Sequence, residues 1–382
     1  TLGRPEMGSY FRFMPDGALL PAAELMQGSR TRPLVADLDA AVAGEEVVFN
    51  DKSKIIVMNG STKIRELDLG ETYSSDQSVV LSRVKGAPAL FAMSIQKGTH
   101  PEKRVLHVMR PDGTSVSGAF PMECGPDVSK GFYENVEFLV GDLDGDEKPE
   151  IIVSQMVSDS SWNLRAYSEE GQILPWSTPE MQGRLTSLLL ADLDRDGFME
   201  ILASHGAGMA VFRHDGSYYP GWPRTDIKGS LVCGDLDRDG TEEIIAVDQS
   251  KMHVVKADGS PWSSDWPKTV NSNVLLFGTP DAGPALADVD GDGRQEILVS
   301  QEADSGGWIL TKWPDFKNVW SDEGRLLALD TAGRTVKVWT MPGLGTLGGT
   351  NFYSKMTLGD FNRDGRLDVG ASFVMSKTDS AV

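Results

Sequence analysis

The chain has 382 residues, of which 40% are hydrophobic, so it can bury a substantial core. Its formal net charge of −20 argues against nucleic acids and anionic membranes as partners. The sequence contains no apolar run of about 18 residues, so we expect no membrane insertion. Its two cysteines, Cys124 and Cys233, are too few for a disulfide framework.

In chain order, the first predicted element is a β-hairpin, and the same strand–turn–strand pattern then recurs along the sequence. Each copy places a glycine, usually as Asp-Gly or Asn-Gly, between two β-rich runs, which is a strong hairpin signal. The seven copies lie at 10–20, 55–61, 105–113, 164–171, 210–216, 253–259 and 326–333.

Between the hairpins lies a second recurrent element, a nine-residue acidic loop that follows a short apolar run. Its pattern is Asp-x-Asp-x-Asp-Gly-x-x-Glu, and we name each loop by its first residue and number its positions 1 to 9. Full copies begin at Asp142, Asp192, Asp235, Asp288 and Asp360. Glu147 replaces the glycine in loop 142, and Asn362 replaces an aspartate in loop 360.

Two degenerate copies complete the series. The one that begins at Asp37 keeps Asp39, loses the third aspartate and gains a residue before Glu46. The one that begins at Ser82 retains the strand–turn–strand rhythm without any acid. Loop starts therefore fall once in each of seven consecutive units.

The spacing of the acids predicts calcium binding. Carboxylates at positions 1, 3 and 5 repel one another unless a cation lies between them, and Ca²⁺ prefers hard oxygen ligands on flexible loops. Glycine at position 6 permits a sharp turn. An EF-hand would close at position 12 between helices, whereas these loops close at position 9 between β-rich runs. A purely polar turn is the alternative, and the repetition favours calcium.

We therefore predict up to five Ca²⁺ sites, with the backbone carbonyl at position 7 as an additional ligand. The predicted ligands are Asp142, Asp144, Asp146, Lys148 and Glu150; Asp192, Asp194, Asp196, Phe198 and Glu200; Asp235, Asp237, Asp239, Thr241 and Glu243; Asp288, Asp290, Asp292, Arg294 and Glu296; and Asp360, Asn362, Asp364, Arg366 and Asp368.

Seven loops that alternate with seven hairpins predict an all-β fold, a seven-bladed β-propeller of four-stranded antiparallel blades. Strands A and B flank the loop, and strands C and D form the hairpin. Because the first hairpin precedes any loop, we expect N-terminal strands within 9–21 to join C-terminal strands within 354–375 in one composite blade that closes the ring. The chain is then a single domain over 1–382 with a polar tail at 376–382.

The acidic loop between strands resembles the FG-GAP/VCBS repeats of integrin α-subunit propellers and of many bacterial surface proteins and lectins. This resemblance extends over residues 10–375. It implies a seven-bladed propeller, calcium in the A–B loops, and a role in adhesion or carbohydrate binding, although the family also includes noncatalytic parts of larger enzymes. Calcium loops of modest affinity suit the millimolar calcium outside cells, so we expect a secreted or cell-surface protein.

Strand parity predicts where a ligand binds. The A–B and C–D connections share one face, and the longer B–C and D–A connections share the other, where function tends to lie. The longer connections are 95–104, 121–135, 155–163, 268–281, 301–325 and 341–353. The connection at 301–325 is rich in aromatic residues, and the ligand-binding candidates there are Asp304, Trp308, Trp313 and Trp320. The alternative is that this segment forms a small core of its own.

Other tryptophans (Trp222, Trp262, Trp266 and Trp339) lie on predicted D strands, where packing between blades is expected. No serine nucleophile elbow and no metal-binding histidine spacing occurs, so we expect a noncatalytic module that binds a glycan or a protein, or a building block of a larger surface assembly. The alternative is a polysaccharide-degrading enzyme, a lyase or hydrolase, with its site on the long-loop face.

Overall fold

The structure is a computed structural model, and it describes residues 8–10, 23–25, 34–38, 46–51, 53–59, 62–70, 72–74, 79–96, 103–124, 138–158, 160–183, 185–248, 251–269, 283–302, 323–342, 350–351, 357–359, 368–370 and 374–375. All regular elements in this part of the chain are β-strands. The prediction of an all-β fold is therefore confirmed.

The strands of the N-terminal half form one hairpin and three sheets. The hairpin pairs β1 (Gly8–Tyr10) with β2 (Ala23–Leu25). The first sheet contains β3 (Leu34–Ala36), β4 (Glu46–Asp51), β5 (Lys54–Asn59) and β6 (Thr62–Asp68). The second sheet contains β7 (Thr72–Ser74), β8 (Val80–Val84), β9 (Ala87–Gln96), β10 (Arg104–Met109) and β11 (Met122–Glu123). The third sheet contains β12 (Phe138–Gly141), β13 (Glu150–Ser158), β14 (Ser161–Tyr167), β15 (Ile173–Ser177) and β16 (Met181–Gln182).

Three further sheets and two short strand pairs follow. The fourth sheet contains β17 (Leu185–Ala191), β18 (Glu200–His205) and β19 (Gly208–Phe212). The fifth contains β20 (Ser230–Gly234), β21 (Glu243–Val247), β22 (Lys251–Val255) and β23 (Lys268–Thr269). The sixth contains β24 (Ala285–Ala287), β25 (Glu296–Glu302), β26 (Glu323–Leu329) and β27 (Thr335–Pro342). The C-terminal pairs are β28 (Thr350–Asn351) with β31 (Val374–Met375) and β29 (Thr357–Gly359) with β30 (Asp368–Gly370).

Within the six sheets, strands A to D pair antiparallel in chain order, as the alternation of loops and hairpins predicts. In the fourth sheet, the D position is represented by bridges from Met209 to Arg224 and from Phe212 to Tyr218. The acidic loops 142, 192, 235 and 288 each connect strand A to strand B, because they lie between β12 and β13, β17 and β18, β20 and β21, and β24 and β25.

The sheets pack face to face in chain order. Strand β18 is buried along its whole length, although successive side chains of a strand point to opposite faces. Each face of such a sheet is therefore covered by a neighbouring sheet. Five apolar clusters fill the spaces between consecutive sheets, and the one between the fourth and fifth sheets includes Leu202, Trp222 and Ile244.

The A strands of consecutive sheets lie side by side, in the order β8, β12, β17, β20 and β24. Sheets that meet along their first strands and pack by their faces are arranged radially. The described chain is thus propeller-like, with strand A innermost.

Aromatic side chains link the hairpin of one sheet to the turn of the next. Trp222 is 7% exposed, its Nε1 donates to the Ala257 carbonyl at 2.7 Å, and its ring lies against the turn glycine Gly259. Trp266 is 4% exposed and donates in the same way to the Thr331 carbonyl at 2.9 Å. Packing of these two tryptophans between blades is confirmed. Trp262 packs against the cluster between the fifth and sixth sheets, and the side chain of Trp339 lies outside the described residues.

One expectation about a connection needs correction. The segment 155–163 is not a long connection, because β13 and β14 continue to pair up to Ser158 and Ser161. The cross-strand pair of Met156 and Trp162 extends these strands, and only two residues remain between them. The first hairpin pairs 8–10 with 23–25 in a register centred on the predicted Asp16-Gly17 turn, and residues 11–22 lie outside the described residues.

The strand pairs near the termini are internal to each terminus. Strand β1 pairs with β2, and the C-terminal strands pair with one another. None of the strand pairs among the described residues joins 9–21 to 354–375. The composite blade and the seventh blade therefore stay predictions.

In the described residues, no helix is both long and apolar enough to cross a membrane. Cys124 and Cys233 are both free thiols.

Candidate metal centres

The backbone of the four described acidic loops follows one repeated conformation. Position 6 has a positive φ in each loop, at Glu147 (65°), Gly197 (89°), Gly240 (98°) and Gly293 (85°). Position 4 also has a positive φ, which the sequence pattern did not predict, at Gly145 (75°), Arg195 (60°), Arg238 (65°) and Gly291 (79°). Alternating left-handed residues turn successive N–H groups toward the inside of the loop.

The carboxylate at position 1 accepts hydrogen bonds from these inward N–H groups. In loop 142, the Gly145 N–H donates to Asp142 Oδ1 and the Glu147 N–H donates to Asp142 Oδ2, both at 2.8 Å. In the other three loops, the position-6 N–H donates to position-1 Oδ2 at 2.8–3.2 Å. The first aspartate therefore stabilises the loop conformation through hydrogen bonds within the protein alone.

The glutamate at position 9 is buried in every described loop, with exposures of 8% for Glu150, 2% for Glu200, 2% for Glu243 and 3% for Glu296. Its Oε2 accepts a hydrogen bond from the position-2 N–H at 2.8–2.9 Å. The apolar side chain at position 2 is itself buried in three of the loops, as Leu143, Leu193 and Leu236. The loop is thus anchored in the core at positions 2 and 9.

This arrangement brings acidic oxygens together. Ligand atoms that lie within 4.8 Å of one another come from Asp142, Asp144 and Asp146; from Asp192, Asp194 and Glu200; from Asp235, Asp237 and Asp239; and from Asp288, Asp290 and Glu296. Positions 1 and 3 contribute in all four loops, joined by position 5 or position 9. These groups could hold a metal ion.

Two buried carboxylate oxygens without hydrogen-bond partners indicate that a hard cation fits these loops. Asp192 Oδ1 and Asp235 Oδ1 are buried and have no hydrogen-bond partner in the protein. An anionic oxygen buried in this way is costly unless a cation or donor satisfies it. The donor set consists of carboxylates alone, which suits Ca²⁺ or Mg²⁺ rather than a thiolate- or imidazole-preferring metal.

Basic side chains balance the charge of these loops only in part, through Lys148 Nζ at 2.6 Å from Asp146 Oδ2 and Arg195 Nη2 at 3.6 Å from Asp235 Oδ2. Burial, together with the nearby aspartates, raises the pKa of Glu150, Glu200 and Glu243 to about 7, against the lowering effect of the position-2 hydrogen bond. Burial raises the pKa of Glu296 in the same direction. A divalent cation between the carboxylates would supply the missing positive charge.

At position 7 the structure shows a role for the backbone N–H, whereas the prediction concerned the backbone carbonyl. Its N–H donates to position-5 Oδ1 at 2.7–2.9 Å in all four loops. This bond orients the third aspartate. Use of the position-7 carbonyl as a ligand, at Lys148, Phe198, Thr241 and Arg294, stays a prediction.

Two degenerate loops show what the sequence pattern missed. Glu46 is fully buried, and its Oε2 accepts from the Leu38 N–H at 2.8 Å, as position 9 does in the full loops. In the second sheet, a two-residue turn, Lys85-Gly86, replaces the whole loop, and both residues have positive φ. There, Arg110 Nη1 lies 2.8–3.1 Å from the carbonyl oxygens of Val84, Ala87 and Pro88.

Several predicted site residues lie outside the described part of the chain. These are Asp360, Asn362, Asp364 and Arg366 of loop 360, and the ligand-binding candidates Asp304, Trp308, Trp313 and Trp320. Asp368 is the first residue of β30. The segment with the candidate tryptophans falls between β25 and β26, which is a B–C connection as predicted.

Comparison with solved structures gives similarities of fold. The chain is similar to BBS1N in complex with ARL6DN, with a TM-score of 0.50, 10% identity and coverage of 99% of each chain. It also matches the V. cholerae biofilm matrix protein Bap1, with a TM-score of 0.42, 17% identity, 74% of this chain and 43% of Bap1. A lectin from Agrocybe aegerita matches with a TM-score of 0.41, 13% identity, 91% of this chain and 85% of the lectin. The chain thus spans less than half of the length of Bap1.

No curated protein is significantly similar in sequence to this chain. A family model described as FG-GAP-like repeat matches residues 142–203 and 235–299. The first match begins at loop 142 and runs through loop 192 into β18, and the second begins at loop 235 and runs through loop 288 into β25. Each match therefore covers two acidic loops with the strands around them, and residues 142–203 and 235–299 are FG-GAP-like repeats.

Proposed function

We propose that the chain is a noncatalytic, calcium-stabilised propeller that serves outside the cell as an adhesion or ligand-binding module. The observation that carries the calcium part is the repeated loop geometry with buried, unpartnered oxygens on Asp192 and Asp235. Carboxylates placed this closely destabilise the fold unless a cation lies between them. FG-GAP-like repeats support the adhesion or ligand-binding part.

Calcium is the cation that best suits these loops. Loops built from backbone turns and several carboxylates are flexible, and Ca²⁺ accepts such variable geometry, whereas Mg²⁺ requires a near-ideal octahedron. Up to five sites, including loop 360, follow from the sequence repeat. A protein whose fold depends on sites of modest affinity is best placed where calcium is millimolar, and this supports a secreted or cell-surface location.

We propose seven blades for the complete ring. Six sheets that pack in chain order, with neighbouring A strands side by side, support a radial arrangement. The remaining strand pairs, at the two termini, would supply the seventh blade, with 9–21 and 354–375 together closing the ring. Closure would remove two exposed sheet edges.

The partner, a glycan or a protein, is proposed to bind on the face formed by the B–C and D–A connections. Acidic loop 288 precedes β25 at Glu296, and the aromatic segment follows β25 after Glu302. Because the two ends of one strand belong to opposite faces, we expect a ligand bound by Trp308, Trp313 and Trp320 to lie on the face opposite the acidic loops. Calcium then stabilises the scaffold, and recognition occurs on the other face.

The calcium proposal is tested by thermal unfolding with and without chelator. Because a ligand that binds only the folded state stabilises it, we expect EDTA to lower the Tm and added Ca²⁺ to restore it, with Mg²⁺ restoring less. The control is the same titration on a variant in which Asp192, Asp235 and Asp288 are replaced by Asn. An unchanged Tm of the wild-type protein across this series would contradict the proposal.

The recognition proposal is tested on a glycan array and against candidate surface proteins. We expect Trp308→Ala and Trp313→Ala to reduce binding of any ligand found. Ile173→Ala is the control, because Ile173 is an exposed apolar residue, 59% accessible, on β15 of another sheet. Equal binding by both tryptophan variants would reject the site, and turnover of a polysaccharide would reject a noncatalytic role.

A further inference from the structure

The acidic loops touch one another along the face that they share. Position 4 of one loop lies beside position 6 of the next. In the first such pair both residues are glycines. They are neighbours, because a Cβ built on Gly145 would lie 3.4 Å from the Gly197 carbonyl oxygen. A Cβ built on Gly197 itself would meet no atom within 4 Å.

The next two contacts are made by arginines. Arg195, at position 4 of loop 192, places its Nη2 3.6 Å from Asp235 Oδ2, the first ligand of loop 235. Its guanidinium also lies against Gly240, where a side chain would overlap with it. Arg238, at position 4 of loop 235, lies against Gly293 of loop 288 in the same way.

These contacts leave no room for a side chain at position 6 in two of the loops. Gly240 and Gly293 lie under a guanidinium, and any Cβ there would displace it. Loop 142 has Glu147 at this position instead. The sheet before it carries the Lys85-Gly86 turn, so it has no acidic loop with a position 4 to extend over Glu147. Position 6 is therefore not a glycine in loop 142, and the sheet before that loop has a short turn in place of an acidic loop.

We propose that Arg195 and Arg238 are resident counter-cations for the neighbouring loops 235 and 288. Each partly neutralises the neighbouring carboxylates in the absence of metal and weakens Ca²⁺ binding to that loop. Loop 142 has a cation of its own, since Lys148 Nζ lies 2.6 Å from Asp146 Oδ2. Loop 192, whose acids form no ion pair among the described residues, then binds Ca²⁺ more tightly than loops 235 and 288. This inference rests on the calcium binding proposed above and adds an order of affinities to it.

The magnitude follows from the distances. The arginine charge lies within about 4 Å of a ligand oxygen and somewhat further from the proposed Ca²⁺. At a solvent-exposed position, such a charge changes the Ca²⁺ binding constant by about fivefold. The Arg195 side chain is 63% exposed, so the effect decreases as salt is added. A positive φ at Arg195 is unfavourable for most residues, which implies that its side chain is not there for local backbone reasons.

The test compares Arg195→Asn with Arg195→Lys, because Asn tolerates a positive φ and Lys retains the charge. Calcium isotherms are measured by calorimetry at low and high salt. We expect the Asn variant to bind Ca²⁺ at one of the weaker sites, that of loop 235, about fivefold more tightly than wild type, and the Lys variant to resemble wild type. In EDTA, the Asn variant should also melt at a lower temperature than the Lys variant.

A thermodynamic cycle assigns the effect to loop 235. The background is Asp237→Asn, which removes a proposed ligand of loop 235. In this background, Arg195→Asn and Arg195→Lys should bind Ca²⁺ with the same affinity. The reverse experiment is Gly145→Arg, which should weaken one site, that of loop 192, by a similar factor.

The possible failures are distinct. Wild-type protein that binds no Ca²⁺ would overturn the proposed function and this inference together. Wild-type protein that binds Ca²⁺ with equal isotherms for the Asn and Lys variants would overturn this inference alone. A difference that persists in the Asp237→Asn background would also overturn it, because the arginine would then act elsewhere.

Discussion

The second and fifth sheets join strands A and B in two different ways. In the second sheet, β8 and β9 are connected by the two-residue turn Lys85-Gly86. In the fifth sheet, β20 and β21 are connected by loop 235 with its buried, unpartnered Asp235 oxygen. Both pairs keep an uninterrupted antiparallel register. The strand pairing therefore does not require the acidic loop, and the loop adds a concentration of charge that something else must balance.

The balance differs between the two sheets as well. In the second sheet, Arg110 supplies the cation, and its guanidinium lies within hydrogen-bonding distance of three carbonyl oxygens around the turn. In the fifth sheet, Arg195 of the adjacent loop lies 3.6 Å from Asp235, and we propose that a metal ion supplies the remaining positive charge. The dependence of stability on calcium should therefore differ between these two regions.

The largest effect should come from the packing that both regions share. Phe91 of β9 is fully buried between the second and third sheets. We expect Phe91→Ala to lower the free energy of unfolding by about 3–5 kcal/mol, because it leaves a cavity and removes buried apolar area. Urea denaturation should give the same loss in calcium and in EDTA. A loss seen only in calcium would contradict the view that packing is independent of the loops.

A ligand of the fifth-sheet loop should show the opposite behaviour. Asp237→Asn is expected to cost about 2–3 kcal/mol at saturating calcium, which is the stabilisation lost when one site is vacated at about 100 times its Kd. In EDTA it should cost nothing or stabilise, because it removes a repulsive charge. The control is Asp112→Asn, in a hairpin turn of the second sheet, where Asp112 accepts hydrogen bonds from Thr114. That variant should lose the same stability with and without calcium.

Acid should act on the second sheet through a histidine. His107 Nε2 lies 2.8 Å from Ser94 Oγ, and burial lowers the pKa of His107 from 6.5 to about 4. The unfolded chain therefore binds a proton that the folded chain does not, so stability is present above pH 6.5 and is lost as pH falls toward 4. At pH 5 the loss is about 2 kcal/mol for this group.

His107→Gln should remove that part of the pH dependence, measured as the difference in unfolding free energy between pH 7 and pH 5. Measurements in EDTA exclude acid-induced release of calcium from the other sheets. The same pH dependence in this variant as in wild type would show that the pKa of His107 is not lowered in the folded protein.

Loss of the built-in cation should cost less. Arg110→Met keeps the apolar stem of the side chain and removes its hydrogen bonds to carbonyl oxygens around the Lys85-Gly86 turn. We expect a loss of about 1–2 kcal/mol, the usual range when charged hydrogen bonds to partly buried groups are removed. The loss should not depend on calcium. Stability that Ca²⁺ restores in this variant would indicate that the turn can itself bind a cation.

The smallest effect separates two glycines at the same loop position. Gly197→Ala and Gly240→Ala both place an alanine at a positive φ, of 89° and 98°, and should each cost about 1 kcal/mol for that reason. Gly240→Ala must also displace Arg195, whereas a Cβ at Gly197 meets nothing. We therefore expect Gly240→Ala to be less stable in EDTA than Gly197→Ala. Equal stability would show that the Arg195 contact contributes nothing.

Local residue patterns were sufficient to predict several features. The spacing of Asp235, Asp237, Asp239 and Glu243 predicts a turn that gathers oxygens, because the positions of acids within nine residues are set by the chain itself. The Asp-Gly turn at Asp258-Gly259 predicts a hairpin for the same local reason. Both the acidic clusters and the sheet order of the six described units agree with these predictions.

Features that depend on pairing beyond the local turn were predicted less well. The segment 155–163 is predicted as one of the longer connections, yet Met156 and Trp162 pair across the strands and shorten it to two residues. Likewise, Glu46 was seen only as part of a degenerate loop, although it occupies the same buried, hydrogen-bonded place as the closing glutamate of a full loop. The signal available was the apolar residue at position 2, which here is Leu38.

What the sequence by itself determined was the repeated unit: a nine-residue acidic loop between strands, followed by a hairpin, with the ligand types set by local spacing. What only the tertiary structure decided was how the units meet. Arg195 contacts Asp235 and Gly240 because adjacent sheets bring two loops together, and Trp222 meets Gly259 because one hairpin packs on the next. These contacts join residues about 40 positions apart, and no local spacing specifies them, because they arise from the packing of one sheet against its neighbour.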